Sequence, residues 1–310
     1  MLNVTFKQLR YVDALARHGH FGRAAEACAI SQPALSMQVK ELEEMLGAAL
    51  FERGPRQVRL TTLGEEFASR ARDILRRVDE LGDLARASGE RLAGRLRIGV
   101  IPTVAPYLLP TVVSELSRVH PELDVHVRET LTSTLIQDLA DGRLDAAIVA
   151  LPVSEPSLEE VELFAEPFVF VRPETDGDTP VPGPERLREM RLLLLEEGHC
   201  FRDQALSFCK LSSAPPREML DASSLSTLVQ MVGAGMGVTL VPEMAVPVEA
   251  RSAQVAIAHF AEPEPSRVIG MVWRKTSPLS GQLMQIAEVV RHAADSLRAK
   301  HKRRAPRRGP

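Results

Sequence analysis

Ser31-Gln32-Pro33-Ala34-Leu35-Ser36-Met37-Gln38-Val39-Lys40-Glu41-Leu42-Glu43-Glu44-Met45-Leu46-Gly47 opens on a helix-capping residue and closes on a glycine stop. Ser31 can accept from the unpaired amides of a first turn, and Pro33 is tolerated there because its missing N–H has no intrahelical partner anyway. Leu35, Val39, Leu42 and Leu46 form one apolar stripe at helical spacing, with Gln32, Ser36 and Lys40 on the opposite face. Upstream, Thr5 can cap a helix carrying Phe6, Leu9, Val12 and Ala16, and His18-Gly19-His20 breaks it. A short Ala-rich helix over Arg23–Cys28 follows, joined to the capped helix by Ala29-Ile30. Downstream, Phe51–Leu60 reads as a hairpin with Gly54-Pro55 near its turn.

Together these pieces make a winged helix-turn-helix, in which the start of the third helix meets base edges in the major groove. Gln32 carries an amide suited to adenine, Ser36 a small hydroxyl, and Pro33 and Ala34 apolar surface for thymine methyls. Lys40 extends the polar face. Arg53, Arg56 and Arg59 in the wing suit phosphates or a minor groove, where they position rather than specify. Each of these side chains also reads as an ordinary solvated surface residue.

From about Thr62 to Leu92 the pattern is one long helix. Phe67, Ala71, Ile74, Val78, Leu81 and Ala85 alternate by four and three residues as a heptad seam. That seam suits a dimerising helix, or one packed on its own domain. Beyond Gly94 apolar strands alternate with helices. Strands are expected at Leu96–Val100, Asp124–Arg128, Asp145–Ala150, Phe168–Arg172, Leu192–Glu196, Val238–Val241 and Val268–Trp273. Helices are expected at Ala105–His120, Leu131–Asp141, from about Phe201, at Ser224–Ala234 and at Ser280 to about Leu297. Repeated βαβ units imply an α/β fold with a mainly parallel sheet and a site at the carboxyl ends of its strands.

Composition narrows the class. The chain has 310 residues, 45% hydrophobic and 25% charged, as in a globular protein of about two domains. No apolar run approaches the ~20 residues of a membrane helix and no secretory leader is visible, so a cytoplasmic protein with no membrane contact is expected. Charge is split along the chain. Residues 1–92 carry +1, residues 93–297 carry −11 and residues 298–310 carry +7. The acidic block should repel DNA, leaving any DNA contact to the front end. The basic tail, with two prolines and no apolar stripe, reads as disordered.

Three cysteines are too few for a disulfide framework. Cys28 reads as core. Cys200 and Cys209 stand nine residues apart around a helix that starts near Phe201. Amides and the dipole at a helix start favour a thiolate at Cys200, as would a protonated His199. A thiolate reacts with peroxide to give a sulfenic acid, which a second thiol captures as a disulfide. Nine residues of helix span roughly 13 Å, whereas bonded cysteines need Cα atoms within about 7 Å. Oxidation would therefore melt the helix. Both cysteines equally fit the common fate of free thiols as small buried hydrophobes. Two cysteines without further partners make zinc a poor reading, and neither metal nor cofactor is expected.

Ala24-Ala25, Ser31-Gln32-Pro33-Ala34-Leu35-Ser36, Leu42-Glu43, Gly47, Leu50-Phe51-Glu52-Arg53 and Thr61-Thr62-Leu63-Gly64 closely resemble the DNA-binding region of the LysR-type transcriptional regulators. Many relatives carry arginine where this chain has Met37. Gly198-His199-Cys200-Phe201-Arg202-Asp203-Gln204-Ala205 with Cys209, together with Gly99–Thr103, Ala105–Pro110 and Ala234–Pro242, resembles the hydrogen-peroxide-sensing branch of that family.

The resemblance implies a reader over residues 1–62, a dimerising helix over 63–92 and a redox-sensing effector domain over 93–297. That domain would have the fold of periplasmic binding proteins. Its subdomain I is expected at 93–166 and 268–297 and its subdomain II at 167–267, with a basic tail over 298–310. It implies Cys200 as the peroxidatic and Cys209 as the resolving cysteine. Thr103, Thr132, His199, Arg267 and Asp203 would form the peroxide pocket, although Asp203 reads first as a helix-start carboxylate.

Implied partners are double-stranded promoter DNA, hydrogen peroxide and a thiol reductant such as glutaredoxin, with a homodimer and from family likeness a homotetramer. The implied role is an activator of antioxidant genes under oxidative stress, not an enzyme. A small organic effector between the subdomains is the rival trigger, and a thiol peroxidase with an incidental front domain the rival class.

Overall fold

The computed structural model describes residues 3–54, 58–87, 92–187, 189–208 and 220–304. The chain divides into two compact units, Met1–Ala85 and Arg86–Pro310.

In the first unit, α1 (Phe6–His18) opens on a capping box. The Thr5 hydroxyl accepts from Gln8 N at 3.3 Å while Gln8 Oε1 accepts from Thr5 N at 3.0 Å. Then come α2 (Phe21–Ala27) and α3 (Gln32–Leu46), the latter capped by Ser31 and stopped by left-handed Gly47. α2 starts at Phe21 rather than Arg23, because His20 caps it through a bond accepted from Gly22 N. Strands β1 (Phe51–Arg53) and β2 (Val58–Leu60) form the antiparallel wing, and α4 (Thr62–Ala87) leaves it. Val12, Leu15, Ala24, Leu35, Val39, Leu42 and Leu50 make the core. Gly64 is demanded by close approach, since a Cβ there would sit 2.0 Å from the Leu50 carbonyl oxygen. α4 runs to Ala87, residues 88–91 lie outside the described residues, and Leu92 stands outside the helix.

The second unit has two apolar cores. The first lobe holds β3 (Gly94–Val100), α5 (Ala105–Val119), β4 (Leu123–Glu129), α6 (Thr132–Ala140) and β5 (Ala146–Leu151). A long strand, β6 (Leu158–Pro173), leads out of it. The second lobe adds α7 (Pro184–Leu187), β7 (Leu193–Leu195), α8 (Cys200–Phe208), β8 (Leu220–Ala222) and α9 (Leu225–Gly233). It is completed by β9 (Thr239–Pro242), α10 (Val246–Glu249) and β10 (Val255–His259). The chain returns through β11 (Ser266–Arg274) to α11 (Ser280–Arg304), which packs on the first lobe.

Pairing is less parallel than the sequence pattern suggests. β3 runs parallel to β4 and β5, but β11 is antiparallel to β5 and β6, as are β9 and β10 to β6. β6 begins ten residues earlier than expected. Four glutamates between Leu158 and Phe168 obscure its apolar residues, yet Leu163 and Phe164 enter the first core and Phe168–Val171 the second. α11 also runs on past Leu297 through Arg304, correcting the expected disorder of that stretch. No breaker precedes Pro306, and Arg298 stacks on Phe164 at 4.8 Å while donating to the Ala165 carbonyl. Residues 305–310 lie outside the described residues.

Candidate functional site

Two places carry the sequence-predicted side chains. In the first unit, α3 turns Leu35, Val39 and Leu42 into the core. The same turn leaves Gln32, Pro33 and Lys40 exposed, with Ala34 and Ser36 half-buried beside them. Met37 is exposed on that face at 56%. Lys40 pairs with Glu44 at 3.4 Å, a surface ion pair that a phosphate would displace at little cost. Glu43 ties the helix to the wing, its Oε1 accepting from Leu50 N at 2.8 Å and Phe51 N at 3.0 Å. Arg59 is exposed on β2, whereas Arg56 and the side chain of Arg53 lie outside the described residues.

In the second unit, the loop after β3, the start of α6, the start of α8 and strand β11 converge between the two lobes. Arg267 is buried and donates from Nη1 to Thr103 Oγ1 at 2.8 Å, from Nη2 to Thr103 O at 3.1 Å and from Nε to Glu166 Oε2 at 2.8 Å. Glu166 Oε1 accepts from Met244 N at 3.3 Å. Burial pushes the Glu166 carboxyl up, and contact with the Arg267 guanidinium opposes that rise. The guanidinium lies 5.6 Å from the Phe201 ring centroid, next to Cys200 in the chain. Leu131, one residue before α6, sits against Gly198, so the approach to α8 touches the approach to α6.

Cys200 is a half-buried free thiol and the first residue of α8. Although α8 belongs to the second lobe, Cys200 packs against the core of the first. Thr132 Oγ1 is buried without a hydrogen-bond partner, as is Gln204 Oε1 one helical turn beyond Cys200. Such atoms cost free energy unless something fills them.

Of the six candidate residues here that the structure describes, Thr103, Thr132, His199, Cys200 and Arg267 lie in buried or half-buried positions around this junction. Asp203 is the exception. It is exposed in the first turn of α8, where a carboxylate faces the helix dipole favourably. Burial lowers the pKa of His199 more than Glu196 raises it, which favours the neutral ring.

Cys209 lies outside the described residues. α8 nevertheless runs from Cys200 to Phe208, separating those Cα atoms by about 12 Å. One further Cα step is about 3.8 Å, too little to reach the ~7 Å limit of a disulfide while α8 stands.

Sequence reasoning did not single out Gln204 or Glu166. Gln204 was findable from its four-residue offset from Cys200. Glu166 was not, since its partner is 101 residues away. Among the described residues no group of three or more His, Cys, Asp or Glu could hold a metal ion.

Comparison with known proteins agrees across both units. Residues 6–65 match the family described as "Bacterial regulatory helix-turn-helix protein, lysR family", and residues 89–295 match the "LysR substrate binding domain". The chain is 42% identical over 296 residues to the "DNA-binding transcriptional dual regulator OxyR" of Escherichia coli strain K12, covering 94% of this chain and 96% of that protein. Among solved structures it resembles a cysteine-to-aspartate variant of full-length OxyR from Pseudomonas aeruginosa. That likeness has a TM-score of 0.74 at 37% identity, over 93% of this chain and 95% of the other. A hydrogen-peroxide-bound cysteine-to-serine variant of Corynebacterium glutamicum OxyR matches with a TM-score of 0.66 at 35% identity, over 95% and 94%.

Proposed function

This chain belongs to the LysR family of bacterial transcriptional regulators, and from that footing we propose that it senses hydrogen peroxide through Cys200 and Cys209 and changes its grip on promoter DNA. The observation that carries this is α8 itself, a helix that starts on a free thiol and spans nine residues. A disulfide from Cys200 to Cys209, the residue that follows Phe208 in the chain, requires the helix to unwind, which makes oxidation a two-state structural event.

The chemistry proceeds in two displacements. The Cys200 thiolate sulfur attacks one peroxide oxygen, the O–O bond breaks, and the departing hydroxide takes a proton to leave as water. Thr103, Thr132 and neutral His199 orient the peroxide and donate to the leaving oxygen, with Gln204 adding a buried acceptor. Arg267 holds Thr103 in place. The Cys209 thiolate then attacks the sulfenic sulfur, expels the hydroxyl as a second water and closes the disulfide. A dithiol reductant such as glutaredoxin reverses it if the disulfide potential lies above about −250 mV.

The reader occupies residues 1–62 and places Gln32, Pro33, Ala34, Ser36 and Lys40 in a major groove, with Arg53 and Arg56 on the backbone. Residues 63–92 join two copies and residues 93–297 sense. The protein works in the cytoplasm as a homodimer that assembles to a tetramer, as an activator of antioxidant genes rather than as an enzyme. Among the described residues no helix is long and apolar enough to cross a membrane.

The test is Cys200→Ser with DNA footprinting before and after a stoichiometric peroxide pulse. Reduced-state binding should persist while the peroxide-induced change disappears. A variant that responds fully would overturn the reading, and rapid peroxide turnover with no specific DNA site would make the chain a peroxidase.

A further inference from the structure

Tyr107 lies on α5 of the first lobe, yet its ring packs in the core of the second, with Phe168 and Leu240. Its hydroxyl donates to Glu249 Oε1 at 2.7 Å, and Ser226 donates to Glu249 Oε2 at 2.6 Å. Glu249 ends α10 and is only 9% exposed, while Ser226 stands in the first turn of α9, just past its Ser224 cap. Burial, and then the bond to Glu249, raise the pKa of Tyr107, so its hydroxyl keeps its proton and remains a donor at neutral pH.

One carboxylate is thus gripped by hydroxyls from both lobes beside a helix start. A small organic acid bound between two lobes would be held by the same kinds of group. Here the chain supplies the acid from its own Glu249 side chain.

We propose that Glu249 is a built-in carboxylate ligand of the cleft between the lobes, clamping Tyr107 to Ser226 and setting the angle between the lobes without any diffusible effector. A second role follows from chain position. Thr103, which Arg267 holds, lies four residues before Tyr107, so the clamp also fixes that side of the pocket against the lobe carrying Cys200. Glu249 is in this respect a positioning residue. This second role rests on the peroxide reading; the clamp itself does not.

The experiment uses the full chain with Glu249→Ala, titrated with sodium acetate, acetamide or sodium chloride while its unfolding midpoint is followed. Acetate should refill the vacated site and raise the midpoint by about 3 °C, increasing with concentration as expected for a ligand of the native state. Acetamide and chloride should not, and neither wild type nor Glu249→Ala/Tyr107→Phe should respond to acetate. An acetate effect equal in wild type and variant would overturn the clamp. Should Glu249→Ala fail to fold, Ser226→Ala and Tyr107→Phe in the wild-type background must show coupled rather than additive losses, and additivity would refute it.

The positioning role is read separately, as the rate of sulfenic acid trapping at Cys200 in a Cys209→Ser background. Glu249→Ala should slow it about tenfold, with acetate restoring it. An unchanged rate would remove the positioning role. If Cys200 proves inert to peroxide even with Glu249 present, the peroxide reading fails while acetate rescue of stability still decides the clamp.

Discussion

Thr132 holds a hydroxyl oxygen that is buried and has no partner in the reduced protein. An unmet polar atom of this kind costs roughly 1–3 kcal/mol, so its presence needs a purpose. Thr132→Val keeps the shape and removes the hydroxyl. It should leave thermal stability unchanged or raise it by up to about 1 kcal/mol, while slowing sulfenic acid formation at Cys200. Loss of stability without loss of rate would make Thr132 a packing residue. His199 gives a second prediction at this scale. Its pKa is lowered in the folded chain by burial, so the unfolded chain binds the proton more readily. The stability contributed by the neutral ring is complete above about pH 6.5 and is lost as pH falls through that value toward the depressed folded pKa. The unfolding midpoint followed from pH 8 to pH 5 should fall more steeply for wild type than for His199→Gln. Parallel curves would mean that His199 does not titrate in this window.

At the scale of single elements, the reader and the switch helix show what could be read in advance. α3 was legible because its cap, stripe and glycine stop are all local, and Cys200 was legible because a cysteine at a helix start is itself a signal. β6 was only half legible, since glutamates on its early half break the apolar run that marks a strand. Glu166, Tyr107 and Glu249 were illegible because their partners lie across the fold, 101 residues away for Glu166 and 142 for the Tyr107–Glu249 pair. Gly64 shows how a motif residue acquires a physical reason only in three dimensions. Gly64→Ala would drive a Cβ into the Leu50 carbonyl and should cost at least about 1–3 kcal/mol by forcing the wing away from α4. Circular dichroism melts and operator binding should both weaken. An unaffected melt would show that the wing shifts freely.

Across the whole molecule, the unfinished surface is the seam of α4. Ile74 and Leu81 are 44% and 63% exposed on the single chain, and a second copy packed along the seam would bury them. Leu81→Glu should raise the dimer dissociation constant by at least about tenfold, since burying a leucine is worth roughly 1.5–3 kcal/mol. Sedimentation equilibrium reads this directly, and an unaltered dimer would place the interface elsewhere. The two lobes of the second unit interlock in both directions. Cys200 of the second lobe reaches the core of the first, and Tyr107 of the first reaches the core of the second. A helix that melts at that junction therefore disturbs both cores at once, which is how a bond between two sulfurs can reach the rest of the assembly.

The most direct measurement follows amide hydrogen exchange over residues 200–208 before and after one equivalent of peroxide, alongside peptide mass mapping of the cysteines. A linked Cys200–Cys209 peptide lighter by two hydrogens, appearing together with collapse of exchange protection across α8, is the predicted result. A linked peptide in a helix that keeps its protection, or loss of protection with both thiols still free, would contradict it.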